Sequence, residues 1–477
     1  MKTKSFGKSL AFVAASRAVA LLSGVFVGFL LPKVLGVIDY GFYKVFSLYA
    51  VYMALLHFGF ADGILLKLAG RDYATLDRSE TRTYTRFFIL FEGAISLLVA
   101  GVGFALFEGD YLFVALMLAA NMLFVNVTTY YQFLSQAVSR FGEYSAKSLV
   151  ASIVKLLFVA VLFVLGSAEL CTVSYKAYLI GLNVIDLLML LWYVGIYREI
   201  TFGAAKPMKA MKREILSVFK TGILLTLAYQ ASHLVLALDR QFVNLLFPMD
   251  TFARYSFAYN VVSMISTMIS SLAVVLLPML KNKKREELLA SYKTGTAVVS
   301  AVAAASLLCY FPLAAFIMWF LPNYAASIPY ITIVLPAFLF SAVITVVMFT
   351  VAKVLDGGRR FFFESCAVLL FGAIANTAAY LLAKTPEAIS YASIVTMALW
   401  FIIAGTRLKN KTGVGAAREF FYLFGTAVLF LGTTTLVEEL LLGFFVYAAT
   451  MAAWTLLFFR KHLSTVLTRV KNFHRCI

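Results

Sequence analysis

Fourteen long apolar segments constrain this chain more than any other feature of its sequence. A helix that crosses a membrane needs about 20 apolar residues, and these segments run from 17 to 29 residues. Hydrophobic residues make up 62% of the 477 and charged residues 13%, against about 45–50% and about 25% in soluble domains. We predict an all-α polytopic membrane protein with about fourteen transmembrane helices. The segments lie at 9–31, 42–66, 87–107, 112–137, 149–166, 177–196, 218–246, 255–280, 296–320, 330–354, 361–382, 388–405, 420–436 and 441–459.

The basic residues alternate between the two sides of these predicted spans. With the N-terminus inside, and with the three residues at each end of a span counted as loop, 33 of the 41 Lys and Arg residues fall in inner loops, 5 in outer loops and 3 within spans. Because basic loops stay on the cytoplasmic side, we predict that both termini are inside and that the chain lies in the cell membrane. The net charge of +18 is then a topology signal. It indicates contact with anionic membrane lipids and no nucleic-acid partner.

The longest inner linker divides the predicted spans into six and eight. A short internal repeat agrees with two related lobes, which transporters often have. The segments "DYGFYKVFSLY" and "TFARYSFAYNV" each open an even-numbered span, with Tyr43 and Tyr255 aligned at an offset of 212. The expected domains are an N-lobe at 1–197, a basic cytoplasmic linker at 198–217, a C-lobe at 218–406, and a last pair of spans with a basic tail at 407–477.

Ionisable residues inside predicted spans are the first candidates for a functional site. A charge at a helix centre costs about 2.5–3.5 kcal/mol on insertion scales, so six of them facing lipid would cost roughly 15–20 kcal/mol. We therefore expect these groups to face protein or a water-filled cavity. The six are Arg17, Glu92, Lys155, Asp186, Asp239 and Arg240.

The span at 218–246 carries a single polar stripe. At 100° per residue, five side chains share an arc of about 100°, and Asp239 lies away from it. This favours Arg240 facing a cavity while Asp239 meets a neighbouring helix or caps a backbone group. The alternative is an interhelical network that binds no ligand. The five members are Gln230, His233, Arg240, Gln241 and Asn244.

These residues give two sets of site candidates, each with a structural alternative. Lys155 lies near enough to the inner surface to snorkel there instead, and a lone histidine such as His233 is usually structural, although it can carry a proton. In the first span, "SGVFVG" is typical of GxxxG helix packing, with a smooth cavity wall beside Arg17 as the alternative. The cavity candidates are Arg17, Arg240, Lys155, Gln230, His233, Gln241 and Asn244, and the coupling candidates are Asp186, Glu92 and Asp239.

Several classes of chemistry lack their sequence signatures. The four cysteines are scattered without a CxxC, so we predict neither a disulfide nor a metal site, and no cofactor. The chain has no GxxxxGK[ST] loop, which argues against ATP as the direct drive. A membrane glycosyltransferase, polymerase or ligase generally needs catalytic groups on a sizeable outer loop. The predicted outer loops have only 4 to 10 residues, so we do not expect an enzyme.

Several segments resemble one transporter family. "VFKTGILLTLAYQASHLVLALDRQFVN…FARYSFAYNVVSMISTMISSLAVVLLPML" is similar to the start of the C-terminal lobe in polysaccharide (O-antigen and exopolysaccharide) flippases of the multidrug/oligosaccharidyl-lipid/polysaccharide (MOP) exporter superfamily. "LLPKVLGVIDYGFYKV" resembles the first outer turn of that family, and "LPNYAASIPYITIVLP" and "DGGRR" resemble its later span junctions. The matching residues are Gly36, Tyr40, Gly41, Asp239, Arg240, Tyr255, Ala258, Tyr259 and Pro278.

The resemblance implies a fold and an activity. The fold is two six-helix lobes in a V around a central cavity, with two further helices at the C-terminal end. The activity is transfer of a polyprenyl-diphosphate-linked oligosaccharide from the inner to the outer leaflet by alternating access, for cell-surface polysaccharide synthesis. The expected partners are this lipid-linked oligosaccharide, membrane lipids, and polysaccharide polymerase and other assembly proteins. A drug or cation antiporter of the same superfamily is the alternative, and it predicts an acidic cavity and usually twelve spans.

Overall fold

The structure is a computed structural model that describes the backbone of residues 2–281, 285–356 and 359–474. Side chains are described for residues 16, 18–267, 269, 286–355 and 360–459. The regular secondary structure of these residues is helical, and they contain no strand. The chain divides into two compact units, and the division falls within two consecutive helices.

The first unit comprises the residues up to Ala237 together with Pro248–Ala253. Two of its helices, α9 (Lys212–Leu246) and α10 (Met249–Lys281), continue into the second unit. The others are α1 (Lys2–Val34), α2 (Val37–Met53), α3 (Phe60–Leu68), α4 (Arg78–Leu106), α5 (Gly109–Ala137), α6 (Phe141–Ser167), α7 (Tyr175–Ile196) and the short α8 (Arg198–Thr201).

The second unit comprises Leu238–Phe247 and the residues from Arg254 onward. Among the described residues, its most buried span is Pro322–Leu355, where 89% of the apolar 18-residue stretch is buried. This span is continued through a π-helical turn at Ile344–Met348. The further helices of the unit are α11 (Arg285–Ser306), α12 (Tyr310–Phe320), α13 (Ile328–Val343), α14 (Phe349–Asp356), α15 (Arg359–Ala383), α16 (Pro386–Thr412), α17 (Ala417–Leu436) and α18 (Leu440–His474).

The chain is a multi-pass membrane protein. Each of the fourteen apolar segments overlaps a helix or a run of consecutive helices. Among the described residues, eleven helices are long and apolar enough to cross a membrane, or twelve when a bent pair is counted as one span. The prediction of an all-helical polytopic fold is therefore confirmed. The count of fourteen spans and the inside position of both termini stay predictions.

Two helix boundaries repeat at the offset found in the sequence. Helix α1 ends at Val34 and α9 at Leu246, while α2 begins at Val37 and α10 at Met249. Both pairs differ by 212 positions, as Tyr43 and Tyr255 do. The repeat thus extends from a short sequence match to the turn between two consecutive helices. The lobe boundaries drawn from the loops stay predictions.

The second predicted span is broken, although the sequence predicts one continuous helix at 42–66. Helix α2 passes into a 3-10 turn at Ala54–His57, and α3 then leaves at a bend of 54°. The two residues at the break, Phe58 and Gly59, have φ values of 47° and 82°. Glycine adopts this left-handed conformation freely, whereas Phe58 holds it at a cost in strain. Hydropathy gives no sign of the break because the apolar run passes through it.

Three glycines bring α3 and α9 into backbone contact. A Cβ added to Gly59 would lie 2.4 Å from the Ile223 nitrogen, and one added to Gly63 would lie 2.1 Å from the Val218 carbonyl oxygen. A Cβ on Gly222 would lie 1.9 Å from the Gly59 carbonyl oxygen. Small residues permit such close approach between membrane helices. These three positions are called the glycine seam below.

The basic linker docks on the first unit through side chains at the start of α4. Lys206 Nζ lies 2.6 Å from Asp77 Oδ2. The Arg82 guanidinium donates to the Glu199 carbonyl oxygen at 2.7 Å and to the Ala204 carbonyl oxygen at 2.9 Å. Arg78 also pairs with the Glu199 carboxylate at 3.3 Å. The linker residues up to Lys206 are therefore held against the unit by charge-assisted contacts.

Asp77 is the central group of this docking. Its Oδ1 accepts from the backbone nitrogens of Ser79 and Glu80, which caps α4. The hydrogen bond from Lys206, and then the bonds from Ser79 and the Glu80 backbone, lower the pKa of Asp77 from its usual 3.8. The hydrogen bond to Asp77 in turn raises the pKa of Lys206 above its usual 10.5.

We predict that Gly222→Ala lowers the thermal stability of the protein. The new methyl group would overlap the Gly59 carbonyl group, so α3 and α9 must separate. Overpacking of this kind costs about 1–3 kcal/mol, and the melting temperature in detergent, followed by tryptophan fluorescence, should fall by a few degrees.

Gly101→Ala is the matched control for this substitution. Gly101 is an exposed residue of α4, where an added Cβ meets nothing within 4 Å among the described atoms. Its melting temperature should stay unchanged or rise slightly, because alanine favours helix over glycine. An equal loss in both variants would contradict the glycine seam.

We predict that Asp77→Asn weakens the docking of the linker in a pH-dependent way. A folded-state pKa below the unfolded value contributes stability that is complete above the unfolded value and is lost as the pH falls. The difference between wild type and variant in hydrogen exchange at residues 202–211 should therefore be constant above about pH 5 and shrink toward about pH 2. A difference that survives acidification unchanged would rule out the ionised Asp77 as its source.

Candidate functional site

Two of the predicted site residues form an ion pair within the first unit. Lys155 Nζ on α6 lies 2.8 Å from Asp186 Oδ1 on α7. Asn121 Nδ2 on α5 donates to the other carboxylate oxygen of Asp186 at 3.0 Å. The charge of the cavity candidate Lys155 is thus neutralised by the coupling candidate Asp186, and the two side chains form one ion pair. Sequence spacing could not show this, because the partners lie on three different helices.

Glu92 lies at the broken second span. Its side chain is fully buried, and Oε2 accepts from Asn126 Nδ2 at 3.0 Å. The same amide nitrogen lies 3.3 Å from the Met53 carbonyl oxygen, where α2 ends. Asn126 therefore donates both to one oxygen of a buried carboxyl group and to a carbonyl group at the break. The expectation that Glu92 faces protein agrees with this position.

Three ionisable residues of the second span were missed in the sequence, although all lie within 42–66. The first is Lys44, whose side chain is buried and whose Nζ lies 5.0 Å from the ring centroids of both Tyr40 and Tyr43. This is cation–π geometry. The other two are His57 and Asp62. A check of every charged residue against the predicted spans would have found all three.

His57 and Asp62 connect the break to α9. His57 Nδ1 accepts from the Gly59 backbone nitrogen at 3.1 Å, and its Nε2 lies 3.9 Å from Asp62 Oδ2. That carboxylate oxygen accepts from Thr226 Oγ1 at 2.5 Å. His57 is 7% exposed and Thr226 is 4% exposed. The group is thus a buried polar cluster inside the first unit.

The stripe predicted on α9 is shared between the two units. Within the first unit, Gln230 is buried and donates to the Val51 carbonyl oxygen at 3.1 Å. His233 is exposed, and its ring lies 4.6 Å from the Tyr229 ring. Gln230 therefore has a structural role at the break, whereas the His233 ring is accessible.

The remaining first-unit candidate is on α1. The side chain of Arg17 lies outside the described residues, so its contacts stay a prediction. A Cβ added to Gly24 would meet nothing within 4 Å among the described atoms. The expected GxxxG packing stays a prediction, whereas the glycine seam does bring two helices of this unit into close contact.

Asp239 is fixed within the second unit by its neighbours. It is 2% exposed, its Oδ1 accepts from the Arg240 backbone nitrogen at 2.7 Å, and its Oδ2 accepts from Ser393 at 2.9 Å and from Tyr255 at 3.1 Å. Ser390 donates to the Tyr255 hydroxyl at 3.1 Å. As expected, Asp239 meets neighbouring helices and caps a backbone group.

The cationic side chain next to it faces an aromatic ring. The Arg240 guanidinium carbon lies 5.1 Å from the Tyr259 ring centroid. Arg240, Gln241 and Asn244 are all half-buried. A guanidinium group can both stack on an aromatic ring and bind phosphate oxygens through its fork of donors. Among the described residues, no group of three His, Cys, Asp or Glu side chains is placed to hold a metal ion.

Comparison with known proteins gives a fold and no family. No family model matches the chain. No curated protein matches it either. Solved structures do match, and all of those described below are under 25% identical to this chain, so the likeness concerns the fold alone.

Three solved structures illustrate the likeness. A structure described as the lipid II flippase MurJ in an inward closed conformation is 12% identical, with a TM-score of 0.67 over 95% of this chain and 99% of that one. An inward-facing multidrug resistance MATE family transporter of the MOP superfamily is 13% identical, with a TM-score of 0.58 over 83% and 96%. An outward-facing MATE structure is 11% identical, with a TM-score of 0.57 over 85% and 96%. The chain therefore has the fold of these transporters.

We predict that Lys155 and Asp186 are energetically coupled. Lys155→Met and Asp186→Asn should each lower the melting temperature, and the double variant should lose less than the sum, because each single change leaves one charge without its partner. A double-mutant cycle should give a coupling of at least about 0.5 kcal/mol.

The pair Lys176 and Asp110 is the control. Its nitrogen–oxygen distance is also 2.8 Å, but its side chains are 49% and 43% exposed, against 37% and 13% for Lys155 and Asp186. Exposed pairs contribute about 0–1 kcal/mol, so its coupling should be the smaller. Equal coupling in the two cycles would show that burial does not strengthen the inner pair.

Proposed function

We propose that this protein is a flippase that moves a polyprenyl-diphosphate-linked oligosaccharide from the inner to the outer leaflet by alternating access. Such a substrate has a polar head that cannot cross hydrocarbon and a lipid tail that never needs to leave it. A polytopic helical protein that offers charged and polar side chains within its spans suits this task. The protein would act in the cell membrane, in cell-surface polysaccharide synthesis.

One observation carries the choice of substrate class. The lipid II flippase structure covers 95% of this chain and 99% of its own. The two MATE structures cover 96% of their own length but only 83% and 85% of this chain. The architecture of a lipid flippase therefore accounts for more of this chain than that of a multidrug transporter. This supports a lipid-linked substrate.

Cationic side chains within spans would offset the charge of the diphosphate. We propose that Arg17 and Arg240 each contact it during transfer, since guanidinium groups bind phosphate oxygens in bidentate fashion. Lys155 is held by Asp186, so it reaches a phosphate only when that pair opens. The phosphate would then replace the Asp186 carboxylate beside Lys155, so that the charge of the lysine stays neutralised throughout.

Polar side chains would serve the sugar and the direction of transfer. Gln241, Asn244 and the accessible His233 can hydrogen-bond to hydroxyl groups, whereas Gln230 is occupied by Val51. A membrane potential that is negative inside moves anions outward, at about 2.3 kcal/mol per charge per 100 mV. The return of the empty carrier would use an ion, with Asp186, Glu92 and Asp239 as the candidate groups.

The partners follow from the substrate. They are the lipid-linked oligosaccharide itself, the surrounding membrane lipids, and the polymerase and other assembly proteins that receive the sugar on the outer side. The basic inner loops would contact anionic lipid headgroups.

A drug or cation antiporter is the second candidate. The fully buried Glu92 and Asp239 are carboxyl groups of the kind that bind protons or cations in transporters. The fold also matches MATE structures in both inward-facing and outward-facing conformations. This candidate predicts resistance to cationic dyes in cells that express the protein.

We predict that Arg17→Ala and Arg240→Ala each slow transfer of a fluorescent lipid-diphosphate oligosaccharide in proteoliposomes. Loss of one charge-assisted contact costs about 1.5–3 kcal/mol, so each variant should be slower by at least about tenfold. The measurement is the rate at which a membrane-impermeant quencher reaches the label.

Arg71→Ala is the control, because Arg71 is an exposed arginine beyond the inner end of α3. Its rate should equal that of wild type. Normal transfer by the double variant Arg17→Ala/Arg240→Ala would contradict the proposed phosphate contacts. Absence of transfer by wild type, together with dye efflux, would favour the antiporter.

A further inference from the structure

The break in the second span is held by an unusual hydrogen bond. The Gly59 backbone nitrogen donates to His57 Nδ1 at 3.1 Å, across the two left-handed residues that separate α2 from α3. A nitrogen that accepts an N–H carries no proton itself. The ring proton of neutral His57 therefore lies on Nε2, which faces Asp62 Oδ2 at 3.9 Å.

A second proton can enter this ring only at Nδ1. It would turn the acceptor of the Gly59 nitrogen into a donor, so two N–H groups would face each other. The buried Gly59 N–H would lose its partner, which is unfavourable. The imidazolium would gain an attraction to the Asp62 carboxylate on its other side. Protonation thus exchanges the backbone hydrogen bond at the break for an ion pair between His57 of the 3-10 turn and Asp62 of α3.

The polar and ionisable groups near His57 lie on α3, α4 and α9. From α9, Thr226 donates to Asp62 at 2.5 Å. On α4, the ionisable residue at the break is Glu92, which accepts a hydrogen bond from the Asn126 side chain. The same Asn126 nitrogen also donates to the Met53 carbonyl oxygen. Asp62 is the ion-pair partner that the described residues provide for His57.

The glycine seam gives this exchange a mechanical consequence. Gly59 both donates to His57 and contacts Gly222 and Ile223 of α9 through its own backbone. A change in the hydrogen bonding of Gly59 therefore acts on the place where α3 and α9 are in closest contact.

We propose that His57 is a proton-binding site, and that its protonation releases the break between α2 and α3. The ligand is a proton, and the response is loosening of residues 57–63 against α9. The use of this proton to drive transport rests on the proposed function, whereas the binding and the release do not.

The test uses the full-length protein in lipid bilayers, with ¹⁵N-labelled histidine. The chain has four histidines, and His57→Asn assigns the signals of His57. Near pH 8 the spectrum should show Nε2 protonated and Nδ1 bare; as the pH falls toward about 4, the doubly protonated ring should appear. Hydrogen exchange at residues 57–63, corrected for its intrinsic pH dependence, should rise about tenfold over the same range.

The variants separate a proton switch from a structural histidine. His57→Asn places a side-chain oxygen near the position of Nδ1, so it should keep the break closed and remove the pH response. Asp62→Asn keeps an oxygen for Thr226 but removes the charge, so it should weaken the response. His233→Asn, on the accessible histidine of α9, should leave the response unchanged. His57→Gln serves as a second non-titrating variant if His57→Asn does not fold.

Three results would overturn the proposal. They are a neutral ring with its proton on Nδ1, a ring that stays wholly neutral down to about pH 4, and protonation without a rise in exchange at residues 57–63. No transport substrate enters the measurement. Its failure therefore leaves the flippase proposal standing, and failure of the flipping assay leaves this site standing.

Discussion

A membrane interior requires that each backbone group be satisfied by the protein, and the broken second span shows how this chain meets the requirement. Helix α2 ends inside the second predicted span, and a free N–H or C=O in hydrocarbon costs several kcal/mol. Gln230 donates to the Val51 carbonyl oxygen and Asn126 to the Met53 carbonyl oxygen. His57 accepts a hydrogen bond from the Gly59 backbone nitrogen. The main role of the polar residues around the break is thus to hydrogen-bond backbone groups next to the end of the helix. The bend and the close approach of α9 both depend on them.

The charges within the spans follow the same rule. Asp239 receives three hydrogen bonds within the second unit, and Asp186 receives Lys155 and Asn121 within the first. An ionic group placed in this way is stable only while its partners stay. Any motion that separates them must supply another counter-charge at the same moment. A diphosphate headgroup near Lys155 would be such a counter-charge, which connects the observed pairing with the proposed substrate.

Hydropathy predicted the helices because the cost of exposing polar groups to lipid dominates all other terms along the chain. It could not predict the break at Phe58, since apolar residues continue on both sides of it. The stripe on α9 was identified by angle alone, and the structure separates its members: Gln230 is consumed by the Val51 carbonyl group, while His233 stays accessible. The pairing of Lys155 with Asp186 depends on which helices become neighbours, and that information is absent from local pattern.

The glycine seam and its polar neighbours also bear on how the chain is made. Thr226 reaches Asp62 across 164 residues, and Gln230 reaches Val51 across 179. A ribosome releases the second span long before it releases α9. During that interval the kinked segment has open backbone groups and a carboxylate without its hydroxyl donor. Either it stays straight, or it waits beside the insertion machinery until α9 arrives, so this span can reach its final shape only late in biosynthesis.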